Sequence, residues 1–136
     1  MTPGETAQAP LVLVVDDVDH GREIFAEYLE FRGFRVATAA DGLEALEKAF
    51  DLHPDVILMD LSLPGMDGWE ATRELRANAE TKDIPILAAT ALFRDSDLKT
   101  CLEAGCNGYI VKPFTFQELQ GKVRELIPAT STTYPL

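Results

Sequence analysis

The sequence predicts an α/β fold, a doubly wound parallel sheet with helices on both faces. Two observations carry that expectation. Short apolar runs recur along the chain, and their continuous hydrophobicity fits strands buried on both faces. Segments with helical periodicity separate them, long enough for the crossovers that parallel strands require. Each crossover is expected to be right-handed.

Leu11–Val15 is an apolar run rich in Val that stops at Asp16-Asp17. Ile24, Phe25, Tyr28 and Leu29 then fall on one helical face, and Gly33 suits a helix stop. Phe34–Thr38 is a second short strand. Asp41–Phe50 is expected to be a helix with Leu43, Leu46 and Phe50 facing inward. Val56–Met59 is a third apolar run, and it ends at Asp60. Pro64, Gly65 and Gly68 mark a tight loop. In it, Asp67 suits the N-cap of the next helix, Trp69–Ala77, which buries Thr72 and Leu75. Ile84–Ala89 is a fourth strand ending at Thr90. Asp95–Ala104 is a helix stopped by Gly105. Tyr109–Val111 is a fifth strand ending at Lys112-Pro113. Phe116, Leu119, Val123, Leu126 and Ile127 form the apolar stripe of a fifth helix.

Residues 1–10 read as a flexible arm, 11–127 as the folded domain and 128–136 as a C-terminal tail. A chain of 136 residues is long enough to bury a core without disulfides or a structural metal. The net charge is −11, from 12 Lys+Arg against 23 Asp+Glu, which argues against nucleic acid as a direct ligand. Cys101 and Cys106 have neither a redox nor a zinc-site spacing, and are expected to be buried thiols. His20 and His53 are too few and too separated for a metal site, and His20 is expected on an exposed helix surface. No membrane span is indicated and no signal peptide is expected, so the expected location is cytoplasmic.

The chemistry lies at the carboxyl end of each strand. Asp16 and Asp17 come after the first, Asp60 after the third, Thr90 after the fourth and Lys112 after the fifth. In an open α/β sheet, ligands sit outside the carboxyl ends of the strands, where strand order reverses. Three carboxylates, a hydroxyl and an ammonium therefore converge in one hollow. Packed carboxylates repel unless a cation intervenes. An all-oxygen donor set suits Mg²⁺. Asp60 beside that ion is a candidate nucleophile towards phosphorus, with Lys112 and Thr90 placed to stabilise phosphoryl oxygens.

The stretches LVLVVDD, DVILMDLSLPGMDG, ILAATA and GYIVKPF resemble the receiver domains of two-component response regulators, in that family's order and spacing. The resemblance covers about residues 11–127. It implies a flavodoxin-like five-stranded sheet of order 2-1-3-4-5 with five helices. It also implies a stand-alone phosphorelay switch, a phosphoprotein that catalyses only its own phosphorylation and dephosphorylation. Asp60 would be the phosphoacceptor and Asp17 a direct Mg²⁺ ligand. Asp16 would act mainly through metal-bound water, and the backbone carbonyl of Ser62 would be a further ligand. Thr90 would be the switch hydroxyl and Tyr109 the aromatic residue that turns inward with it. Lys112 would be the site ammonium, on a cis Lys112–Pro113 bond. The implied donor is a histidine kinase or a histidine phosphotransfer protein, and the implied target is another protein, with the chain a monomer or weak dimer. Ser62 and Leu92 occupy the positions that set the lifetime of the phosphorylated state. Neither readily aligns a water, so self-dephosphorylation is expected to be slow. Trp69, Phe93, Phe114 and Phe116 are expected to serve packing.

Three rivals are weaker. A haloacid-dehalogenase-type phosphatase needs a second Asp where Ser62 stands. A flavodoxin-like electron carrier needs a hydroxyl-rich phosphate loop where Asp16-Asp17 stands. A degenerate receiver used only for interaction would not need the complete acidic set.

Overall fold

A computed structural model of the chain describes residues 9–63, 65–91 and 95–127, and for 95–98 the backbone only. Leu92, Phe93, Pro64, most of the N-terminal arm and the C-terminal tail lie outside the described residues.

Five strands alternate with five helices: β1 (Leu11–Val15), α1 (Asp19–Phe31), β2 (Arg35–Ala39), α2 (Gly42–Leu52), β3 (Val56–Asp60), α3 (Gly68–Ala77), β4 (Ile86–Thr90), α4 (Asp95–Ala104), β5 (Gly108–Val111) and α5 (Phe116–Leu126). The sheet order is β2-β1-β3-β4-β5, and every pairing is parallel. The expected fold is thus the observed one. Strand order reverses between β1 and β3, where the register sets Val15 opposite Met59. Asp16 and Asp60 each come next along their strands, so the topology alone makes them neighbours.

Side chains alternate between two cores, as the period of a strand requires. Leu13, Val15, Ile57, Met59, Ile86 and Ala88 point to one face, which α2, α3 and α4 cover with Ala45, Ala49, Leu75 and Cys101. Val12, Val14, Leu58, Leu87, Ala89 and Ile110 point to the other, which α1 and α5 cover with Leu29, Leu119 and Val123. Burying each large side chain contributes about 1.5–3 kcal/mol. Cys101 and Cys106 are free thiols buried in the first core, as expected.

Caps fix where the helices start. Asp41 accepts from the Glu44 N–H, and Asp67 from the Glu70 N–H at 2.8 Å, so both precede their helices as N-caps. Thr115 and Glu118 form a reciprocal capping box on α5. Helices α1 and α4 end at Gly33 and Gly105, both with positive φ.

Two expectations are corrected. The fourth strand begins at Ile86 rather than Ile84. Pro85 has no N–H to give the ladder, and the Ile84 N–H is used in a turn with the Thr81 carbonyl at 3.1 Å. On α2, Leu43 and Phe50 do not face inward: they are 61% and 44% exposed. The buried residues are Gly42, Ala45 and Ala49. The helix lies too close to its neighbours for large side chains. A Cβ on Gly42 would come within 2.5 Å of the Met66 carbonyl oxygen.

Arg76 of α3 joins three segments at the amino edge of the sheet. Its Nε donates to the Gly105 carbonyl at 2.9 Å, Nη1 to the Ile84 carbonyl at 2.8 Å and Nη2 to Asn107 Oδ1 at 2.7 Å. Asn107 Oδ1 also accepts the Ile86 N–H at 2.8 Å.

Candidate acidic site at the carboxyl edge of the sheet

Asp60 is the last residue of β3, a strand buried along its whole length, and its side chain sits in the floor of the hollow. Oδ1 accepts the Ser62 N–H at 2.9 Å, and Oδ2 lies 3.2 Å from Lys112 Nζ. Asp16 comes directly after β1 and is also buried. Its Oδ1 accepts the Val18 N–H at 2.9 Å. Asp17, next to it, is exposed. Asp16, Asp17 and Asp60 each offer a carboxylate oxygen within 4.8 Å of the other two.

The register explains why Thr90 and Lys112 join them. Asp60 pairs with Ala89, so Thr90 projects one residue further out. Thr90 pairs with Val111, so Lys112 projects one further still. The Lys112 N–H donates to the Thr90 carbonyl at 2.7 Å, and the Lys112–Pro113 bond is cis.

Burial raises the Asp16 carboxyl above its ordinary range. The Val18 N–H opposes this, the charge on Asp60 adds to it, Lys112 opposes it and Asp17 adds to it. Two buried carboxylates and one exposed one against a single ammonium leave the hollow short of positive charge. The donor atoms are all oxygen, which fits a hard divalent cation such as Mg²⁺.

Thr90 is half-buried at the end of β4. Tyr109 is half-buried in β5, packs against the core under α2, α3 and α4, and has Lys122 Nζ 5.8 Å from its ring centroid. Ser62 is exposed on the loop after Asp60. Beside the acidic cluster, Phe25, Ala91, Lys112, Pro113 and Phe114 line a mostly apolar hollow of ≈ 380 Å³. Phe114 stacks on Phe25 with ring centroids 5.2 Å apart, and Phe116 stacks on Tyr28 at 4.5 Å. Phe114 packs against its core as expected, as does Trp69 against the other, whereas Phe116 is 41% exposed. His20 is exposed.

Two supporting residues escaped the sequence reading. Arg22 Nη1 donates to the Asp16 carbonyl at 2.7 Å while Nη2 meets Asp19 at 2.5 Å. The Asp19–Arg22 spacing, three apart on a helix, is the signal that could have found it. Gly68, read as a loop marker, lets α3 press against the strand end. A Cβ there would lie 2.5 Å from the Asp60 carbonyl oxygen and 2.7 Å from Leu61 Cα.

A family model described as the response regulator receiver domain matches residues 12–124. The response regulator MprA of Mycobacterium sp. (strain KMS) is 39% identical over 120 residues, covering 88% of this chain and 51% of that protein. The DNA-binding dual master transcriptional regulator RpaA of Synechocystis sp. is 36% identical over 121 residues, covering 89% and 50%. The chain thus spans about half the length of these curated relatives. Among solved structures, chemotaxis protein CheY4 of Vibrio cholerae superposes with a TM-score of 0.84 at 34% identity, covering 88% of this chain and 99% of that one. The receiver domain of sensor histidine kinase PA1611 from Pseudomonas aeruginosa was solved with a magnesium ion in its active-site cleft. It superposes with a TM-score of 0.80 at 38% identity, covering 87% and 97%. Among the described residues, no helix is long and apolar enough to cross a membrane.

Proposed function

Since the chain belongs to the response regulator receiver domain family, we propose that it is a signalling switch in which Asp60 accepts a phosphoryl group beside a bound Mg²⁺. One observation carries this reading. The buried Asp60 carboxylate has an ammonium 3.2 Å away and the Asp16 and Asp17 oxygens within 4.8 Å.

Asp60 Oδ2 attacks phosphorus, and an O–P bond forms as the bond from phosphorus to the donor breaks. The leaving group departs with that electron pair. The donor is a histidine kinase or a histidine phosphotransfer protein. Asp16, Asp17, Asp60 and the Ser62 carbonyl would hold the metal. When bound, the metal supplies positive charge that offsets the crowded carboxylates and the incoming phosphoryl oxygens. Lys112 Nζ takes one phosphoryl oxygen and the Thr90 hydroxyl another. Each interaction differs between the free and phosphorylated states, so each biases a two-state surface that Tyr109 reports. The chain catalyses only its own phosphorylation and dephosphorylation. Exposed Ser62 offers no group that readily aligns an attacking water, which favours a long-lived phosphorylated state; Leu92, the second lifetime-setting position, lies outside the described residues.

The output is read by a protein partner in the cytoplasm, and the net charge of −11 disfavours direct contact with nucleic acid. A stand-alone role is supported by the match to 99% of the chemotaxis protein chain. The match to half of a DNA-binding regulator supports a second reading, in which a receiver of this kind works attached to an output half.

Incubation with acetyl phosphate tests the proposal. Labelling should require Mg²⁺ and vanish in Asp60→Asn. Labelling that persists in Asp60→Asn refutes the acceptor assignment, and decay of the label within seconds refutes the long lifetime.

A further inference from the structure

Two residues of the apolar stripe of α2, Leu43 and Phe50, are on the surface, while Leu46 packs against the core, and the stripe borders a groove. Leu46 and Phe50 of α2 face Leu75 of α3 across a cleft of ≈ 380 Å³. That volume lies within the range of sites that take a ligand group, roughly 300–1,000 Å³. Leu43, 61% exposed, extends the apolar surface along the helix. The rim is formed by Glu47, Asp51 and Glu74, and no cation is among the described lining residues. Lys48 does not neutralise it, because its ammonium is bonded to the Thr38 carbonyl and lies 3.2 Å from Glu44.

We propose that this groove between α2 and α3 docks a basic amphipathic segment of a partner protein, with large apolar side chains in the cleft and Lys or Arg against the acidic rim. Charge complementarity selects this occupant. A second copy would bring three carboxylates against three, at a cost that favours other partners. Residues 1–8 and 128–136 contain no Lys or Arg, so the chain's own terminal segments do not match the rim. The spacing of Leu43, Leu46 and Phe50 is that of a helix presenting one face to another helix.

The groove is formed by the carboxyl-terminal halves of α2 and α3. Each helix runs back antiparallel to the strand before it, so the groove lies at the sheet edge opposite Asp60. Docking there makes no contact with Asp60, and the proposal goes beyond the switch without resting on it.

The probe is a short fluorescein-labelled helical peptide with Leu on one face and Lys flanking it, measured by fluorescence anisotropy and by amide shifts in NMR. Binding should weaken as salt rises. It should be lost when the peptide's Lys are replaced by Glu or its Leu by Ser. It should fall roughly tenfold in Glu47→Lys/Glu74→Lys, worth about 1.4 kcal/mol, and similarly in Phe50→Ser. All three positions are exposed, and far-UV circular dichroism checks that the variants fold. Shifts should centre on Leu46 and Leu75. Equal binding of the Ser-substituted peptide, insensitivity to the charge reversal, or shifts centred elsewhere would each overturn the proposal. So would a dimer in sedimentation that Phe50→Ser dissolves, because the occupant would then be a second copy.

Discussion

Replacing Asp16 by Asn should stabilise the protein in the absence of metal. The Asp16 carboxylate is only 6% exposed, with an oxygen no more than 4.8 Å from one on Asp60 and one on Asp17. At that separation two unit charges repel by ~3.5 kcal/mol if the effective dielectric is about 20. Asp17 is exposed, so solvent screens its share. Lys112 attracts Asp16 and offsets part of the rest. The Val18 N–H bond survives the substitution, because Asn keeps an oxygen at Oδ1. The net gain is about 1–3 kcal/mol.

The pH dependence has a definite sign. The folded Asp16 carboxyl is raised above its unfolded value, chiefly by burial. The folded state therefore binds the proton more tightly, and the wild type loses stability as pH rises from the ordinary carboxyl range through the folded value. Asn cannot titrate, so the gap between variant and wild type opens over that window and closes below it. Mg²⁺ acts the other way, since it stabilises the form that binds it better. Urea unfolding followed by far-UV circular dichroism, in EDTA and in excess Mg²⁺, at neutral pH and near pH 3.5, reads all three effects. A variant less stable than the wild type in EDTA at neutral pH would refute the electrostatic reasoning.

Lys112→Ala removes the counter-ion 3.2 Å from a buried carboxylate and should cost about 1–2 kcal/mol in EDTA, less in Mg²⁺, in the same urea assay. Gly68→Ala drives a Cβ to 2.5 Å from the Asp60 carbonyl oxygen. It should cost about 1–3 kcal/mol and slow acetyl-phosphate labelling as well, because the strand end carrying Asp60 must shift. Arg76→Ala removes three hydrogen bonds of 2.7–2.9 Å at the opposite edge. It should cost about 2–4 kcal/mol in urea unfolding while labelling of the folded protein stays unchanged.

The site was legible because each apolar run stops abruptly at a polar residue. Asp16, Asp60, Thr90 and Lys112 are each the polar residue at the carboxyl end of an apolar run, and the parallel register then sets them side by side at one edge. The reversal of strand order between β1 and β3 was not legible from hydropathy and entered through the family resemblance. Burial on α2 was misread for a physical reason. Hydrophobic periodicity favours large side chains such as Leu43 and Phe50, whereas a helix packed this closely takes Gly42, Ala45 and Ala49. Arg22 and Gly68 were missed because one acts through a backbone carbonyl and the other through the absence of a side chain.

The two oxygens of Asp60 are not interchangeable. Oδ1 is fixed to the backbone two residues on, at 2.9 Å, while Oδ2 faces the ammonium. An acyl phosphate formed at Oδ2 would discharge the carboxylate yet leave Oδ1 as a carbonyl that still accepts the Ser62 N–H. The loop after β3 would thus keep its tether. A signal starting at Asp60 would then leave through the groups on the Oδ2 side, Lys112 and β5, while the chain on the Oδ1 side holds still.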